Sequence, residues 1–172
     1  MKYEVIGKQN NTDKCFVCGT RNRAGVVCEF FNCRREDGEM VLVTEVKGQE
    51  KHQSYPGRMH GGVISAILDE SIGRSVQTKD PDAWAVTIEL SVKFRKPVPL
   101  GETLYVESFI TEVGPRTFSG EGKMMDRGGA VLATAVAKFF RVDYDKLFEK
   151  EKLTPRNWYL VKKNLPKEIV IG

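Results

Sequence analysis

Residues 84–94, WAVTIELSVKF, restrict the folds open to this chain more than any other segment. Trp84, Val86, Ile88, Leu90, Val92 and Phe94 alternate with Ala85, Thr87, Glu89, Ser91 and Lys93. Period two over such a length predicts a long strand with one buried face. Just upstream the period changes. Val63, Ile64, Ile67, Leu68, Ser71, Ile72 and Val76 recur at spacings of three and four, which predicts a helix from Gly61 to about Lys79. Asp80-Pro81 ends it, because the residue before a proline is pushed out of the helical region.

The remaining strands fall around this pair. VVCEFFNC (26–33) and MVLVTEV (40–46) flank the Asp37-Gly38 turn signal. After Pro97, Pro99 and Gly101 come strands over 103–113, 116–126 and 130–142, with connections short enough to predict antiparallel neighbours. The expected order is two strands, one long helix and four strands in a meander. That is an α+β layout, with a curved antiparallel sheet of about six strands wrapped around one central helix. Residues 1–14 read as a loose polar arm and 15–142 as the domain. Residues 143–172 read as an extension packed on it, with a short amphipathic helix at 143–152 and an irregular tail carrying Trp158 and Tyr159.

Composition narrows the function classes. The 172 residues suit one compact domain, and 27 basic against 23 acidic residues leave a net charge of only +4. Such a balance gives no nucleic-acid surface on charge alone. No apolar run is long enough to span a bilayer, and MKYEVIGKQNNTDKC lacks a signal-peptide core, so a cytoplasmic location without membrane partners is expected. Four cysteines in that setting are expected to stay reduced.

The chemistry concentrates in YPGRMHGGVISAILDE (55–70). A helix N-terminus exposes unpaired N–H groups and the positive end of the dipole. Gly61 and Gly62 leave those groups uncovered, so an anion or a polarised carbonyl oxygen can approach. On the helical wheel Asp69 borders the apolar stripe beside Ser65 and Ile72, and Glu70 borders the other side near Val63 and Arg74. One acid is placed to face a cleft and the other solvent or an ion pair, and the wheel does not choose between them. A tight turn before the helix and a solvated edge are the plainer alternatives.

YPGRMHGGVISAILDESIG resembles the active-site helix of hotdog-fold acyl-CoA thioesterases, in the phenylacetate-pathway (PaaI-type) and type II 4-hydroxybenzoyl-CoA branch. VTIELSVKFRKPVPLGE and GGAVLATAVAKFFRV are similar to strands of that family, so the likeness spans roughly residues 15–142. It implies hydrolysis of an acyl-CoA thioester to a carboxylic acid and free CoA, with CoA as part of the substrate and no other cofactor. It implies Asp69 as nucleophile or general base and the Gly61 amide as the group polarising the carbonyl. His60 would contact the thioester region, and Thr87 would hold the attacking water, although Thr87 alternates onto the polar face of its strand. Gly62, Ser54 and Met59 are the implied substrate contacts. Ser54 stands where some members carry Asn. Arg95, Lys96 and Arg116 are candidate cations for the CoA phosphates. The family's shared sites imply a homodimer or homotetramer. Met124 and Met125 would suit aromatic or aliphatic acyl groups.

Two other readings stay open: a hotdog hydratase or dehydratase on acyl thioesters, and a non-catalytic acyl-CoA-binding module. With His52 and His60 as the only histidines, the first lacks a recognisable His–acid pair. Cys15-x-x-Cys18 with Cys28 and Cys33 invites a zinc site. Cys28 and Cys33 are five apart on a predicted strand, however, and point to opposite faces, so no metal is expected. A redox pair is not expected either, since no helix follows Cys18 to stabilise a thiolate.

Overall fold

A computed structural model describes residues 1–147, 158–161 and 165–172. In chain order the elements are β1 (Lys2–Lys8), β2 (Asn11–Thr12), β3 (Glu29–Arg35), β4 (Met40–Lys47), α1 (Gly61–Ser75), β5 (Trp84–Phe94), β6 (Thr103–Val113), β7 (Thr117–Met125), β8 (Val131–Val142), α2 (Tyr144–Leu147), β9 (Trp158–Tyr159) and β10 (Glu168–Val170). Eight strands form one antiparallel sheet in the order β10-β1-β3-β4-β6-β7-β8-β5, and β2 pairs with β9. Helix α1 lies across one face. This is the hotdog arrangement, one long helix held in a large curved sheet.

The helix is gripped by apolar side chains. Ile64, Ile67, Leu68 and Ile72 are buried against Phe30, Leu42, Leu104, Phe118, Met124 and Phe139. Each such side chain contributes about 1.5–3 kcal/mol through burial. Glycine allows the closest approach: a Cβ added at Gly120 or Gly122 in β7 would lie 2.8 or 2.9 Å from Ile72. The α-helix ends at Ser75 and continues as a 3₁₀ turn over Val76–Thr78. There the hydroxyls of Ser75 and Thr78 donate to the Ile72 and Ser75 carbonyls, tightening the last turn.

The structure corrects three expectations. The sheet has eight strands rather than six, because the arm at 1–14 is not loose and the tail is not wholly irregular. Strand β1 joins β3, and β10 joins β1. Tyr3, Ile169 and Ile171 complete a second buried cluster with Phe31, Val41, Val43, Tyr105 and Met125, and Tyr3 donates its hydroxyl to buried Glu107. No local pattern announces this, since the partner strands lie at opposite ends of the chain.

The last four strands are also not a simple meander. Strand β5 crosses to the far edge and pairs with β8, while β6 pairs with β4. The β5–β6 connection is pinned to the loop before α1, where the Met59 N–H donates to the Val98 carbonyl and Arg58 bridges to Pro99. So anchored, it runs across the N-terminal end of the helix instead of closing a hairpin.

Finally, the alternation of β5 breaks. A bulge at Ile88 separates the pairs Thr87–Phe139 and Glu89–Lys138. One extra residue flips every side chain beyond it to the other face. Ala85 therefore faces the helix before the bulge, and Leu90 and Val92 face it afterwards. Val86 and Ile88 stand exposed on the outer face at 41% and 54%. Of the helix expected at 143–152, α2 covers Tyr144–Leu147, and 148–152 lies outside the described residues. Among the described residues no helix is long and apolar enough to cross a membrane.

Candidate active site

The two ends of α1 carry different equipment. At its N-terminus His60 is the cap, and its Nδ1 accepts from the Gly62 N–H at 2.9 Å. The amides of Val63 and Ile64 both reach the His60 carbonyl. Gly61, the first residue of the helix, keeps an N–H with no acceptor inside the helix. It opens on a groove of about 470 Å³ shared with Ser54, Met59, Phe94, Arg95 and Lys96. Met59 is itself buried, and the two cations are exposed. Gly62 lies outside the substrate role expected of it in one respect: its amide is already engaged by His60.

Two turns further along, the paired acids separate. Thr87 Oγ1 donates to Asp69 Oδ1 at 2.9 Å. The bulge at Ile88 explains how Thr87, assigned to the polar face by strict alternation, turns toward the helix instead. Burial pushes the Asp69 carboxyl above the ordinary aspartate value, the Thr87 hydrogen bond opposes that rise, and the nearby Glu70 charge adds to it. Glu70 is committed elsewhere: its Oε1 accepts from Arg74 Nε at 2.6 Å. Arg74 is buried over the Phe30 ring at 4.3 Å and the Trp158 ring at 5.0 Å. Asp69 is thus held by a neutral hydroxyl donor, whereas Glu70 neutralises a buried guanidinium.

Asp69 and Thr87 line a cavity of about 240 Å³ with Cys15, Cys18, Glu70, Trp84 and Trp158 among its walls. Trp158 packs 5.4 Å from Trp84, and Tyr159 bonds Asp13 at 2.9 Å, so the described part of the C-terminal extension helps enclose the acid. Sequence reasoning set Glu70 near Arg74 and left an ion pair open for one acid, but assigned neither Arg74 nor Trp158 to this cavity. The Glu70-to-Arg74 spacing of four was a legible signal for the ion pair. Nothing local pointed to Trp158.

Gly61 and Asp69 are eight residues apart on one helix, roughly 12 Å at 1.5 Å per residue. Within one chain they do not meet at one carbonyl. Arg116 is further removed. The Thr117–Phe140 and Val86–Phe140 pairs place it beside the start of β5, whereas Arg95 follows its end, roughly 30 Å away at the strand rise. Met124 and Met125 are fully buried in the two apolar clusters and line neither cavity.

His52 is structural: it is 2% exposed, its Nδ1 accepts from the Gln49 amide, and its Nε2 faces the Ala24 and Gly25 carbonyls. Cys28 belongs to the helix-side core and Cys33 to the outer cluster, opposite faces as expected. Cys15, Cys18 and Glu70 bring their ligand atoms within 4.8 Å of one another. They fit a zinc ion poorly, because Arg74 already bonds Glu70 and, at 3.3 Å, the Cys18 sulfur. A fixed positive charge therefore serves two of the three donors, and among the described residues no fourth completes a tetrahedron.

The chain is similar to known proteins in sequence and in fold. Residues 56–133, from the loop before α1 into β8, match the family model of the thioesterase superfamily. Acyl-coenzyme A thioesterase THEM4 of Rattus norvegicus is 27% identical over 68% of this chain, which spans about half (48%) of that relative. The BH2602 protein of Bacillus halodurans, solved with CoA, is 28% identical, with a TM-score of 0.56 over 64% of this chain and 72% of its own. The PaaI protein of E. coli, from the phenylacetic acid degradation operon, shares the fold with a TM-score of 0.60 at 14% identity, over 69% and 81% of the two chains. By this match over residues 56–133 and by its fold, the chain is similar to the thioesterase superfamily and shares the hotdog arrangement of its solved members.

Proposed function

We propose that the protein hydrolyses acyl-CoA thioesters, with Asp69 of one subunit and the Gly61 amide of another acting on the same carbonyl. The observation that carries this reading is the Asp69–Thr87 pair in a half-enclosed cavity, on the helix whose first amide is free. The raised pKa of Asp69 leaves a more basic carboxylate, suited to attack the thioester or take a proton from water. Thr87 fixes its orientation. A free N–H at a helix N-terminus suits the oxygen on which negative charge develops.

The separation of the two groups is met by pairing two copies along β5. This strand is a long edge, bonded only to β8 among the described residues, and such edges pair readily. A two-fold axis through its middle sets the Trp84 end of one copy beside the Phe94 end of the other. Asp69 and Thr87 then approach the partner's groove at Gly61, where exposed Arg95 and Lys96 suit the CoA phosphates. Relatives named as acyl-coenzyme A thioesterases, and related structures holding CoA, support the substrate class.

The test is free-thiol release from aryl, short-chain and long-chain acyl-CoAs by the wild type, Asp69→Asn and Glu70→Gln. Turnover that Asp69→Asn alone abolishes is the expected result. Tight binding of these thioesters by the wild type without thiol release would overturn the hydrolase reading in favour of a binding module.

A further inference from the structure

We propose that Cys15 and Cys18 form a thiol–disulfide couple, a modification site on the wall of the Asp69 cavity that small organic disulfides oxidise. The proposal does not depend on the hydrolase reading. Four observations carry it. The two sulfurs lie in one turn, closed by the Gly19 N–H donating to the Cys15 carbonyl at 2.9 Å, and within 4.8 Å of each other. That turn requires glycine at 19, where a Cβ would meet the Cys15 carbonyl oxygen at 2.2 Å. The pair is polarised: the Val17 N–H donates to Cys15 Sγ, while the Arg74 guanidinium and the Thr12 hydroxyl hold Cys18 Sγ, all at 3.3 Å. Cys15 is half-exposed and Cys18 fully buried, which orders them as attacking and resolving sulfurs.

Electrostatics agree with that order. The Cys18 thiol beside it, helped by backbone N–H groups, draws the Cys15 thiol down to about 6, while sharing its proton and burial push Cys18 up. Arg74 sets its positive charge on the Cys18 sulfur, where it offsets part of the burial and favours ionisation of that thiol in the second exchange.

The reaction balances as an exchange. Cys15 thiolate attacks one sulfur of a disulfide RSSR, forming Cys15–S–SR and releasing RS⁻. Cys18, giving up its proton to solvent, attacks the Cys15 sulfur and expels the second RS⁻. The dithiol loses two electrons and two protons, and RSSR becomes two RSH. Cys28 and Cys33 are internal controls. Burial pushes both thiols up, Cys33 to about 12; Cys28 shares the helix-side cluster with Cys18 but is fully buried, and Cys33 lies in the outer cluster.

The test incubates the reduced full-length chain with oxidised and reduced glutathione at set ratios, quenches with acid, alkylates and maps each cysteine by mass spectrometry. Cys15 and Cys18 should lose alkylation together, leaving a peptide two hydrogens lighter, while Cys28 and Cys33 stay fully alkylated. Cys18→Ser should trap one glutathione on Cys15, and Cys15→Ser should slow the reaction at least about tenfold. The wild-type rate should reach half its maximum near pH 6. Circular dichroism melts identify any misfolded variant, for which the alanine variant is substituted. Retention of both thiols at every ratio would overturn the proposal. So would equal rates for wild type and Cys15→Ser, or one equivalent of purified zinc shielding the pair.

Discussion

The middle of α1 and its N-terminus sit on one helix yet are built by opposite means. The N-terminus is made by subtraction: two glycines, a capping histidine and an exposed groove whose cations touch little. The middle is made by addition, where Thr87, Arg74, Trp84, Trp158 and the Cys15–Cys18 turn converge on two adjacent acids from distant parts of the chain. The first region offers backbone that local sequence leaves bare. The second tunes a carboxylate, and that requires partners the fold must deliver. Neither half reaches the other within one chain, and for that reason the proposed chemistry calls on a second copy.

Breaking the middle should have the largest effect. Asp69→Asn should lower turnover by about 10²–10⁴-fold if the carboxylate is the base, with the melting temperature held or raised because a half-buried charge is gone. Thiol release and a thermal melt on the same sample check both. Breaking the N-terminus should come next. Proline is tolerated at the first helical position, and His60 at φ −64° and ψ 137° already has the backbone a following proline needs. Gly61→Pro therefore removes one N–H from a folded protein, and turnover should fall about 10²–10³-fold. Mixing the two inactive variants by co-expression sharpens the comparison. Each mixed dimer holds one intact Asp69–Gly61 pair and should regain about half the wild-type turnover. Mixed dimers that stay inactive would place both groups of each site in one chain or remove Gly61 from the chemistry.

Smaller effects follow from the partners of each acid. Thr87→Val removes the bond that lowers the Asp69 pKa, and turnover should drop about tenfold, on the scale of one charged hydrogen bond. The sign of the pH effect is fixed. In the proposed mechanism ionised Asp69 is the working form, so activity is lost as pH falls through its pKa, already above the ordinary value. Loss of the Thr87 donor moves that acid limb to higher pH, and Thr87→Ser should restore it. A pH–rate profile of the three proteins decides. Glu70→Gln should leave turnover within about twofold, yet destabilise the fold by about 2 kcal/mol, because the buried Arg74 loses its counter-charge. Denaturant unfolding measures that loss.

Local pattern made the long helix, β5 to within a residue at each end, and the hairpin strands legible, because burial on one face imposes a period that needs no partner to be seen. The site residues were legible as types and spacings. His-Gly-Gly marks a bare helix start, and an acid nine positions on borders the apolar stripe. Which acid is free was not legible, since Glu70 is committed only by Arg74 packed between Phe30 and Trp158. Thr87 was misplaced by strict alternation, since one bulged residue reverses every face beyond it.

The helix, the long strand that follows it and the chemical types at the helix start are all written in periods of a few residues. The eight-strand order, the different partners of Asp69 and Glu70, and the meeting of Cys15, Cys18 and Arg74 arise only when the whole chain packs. Those features join residues tens of positions apart, and the free energy that joins them comes from burying shared surface, which no short window of sequence contains.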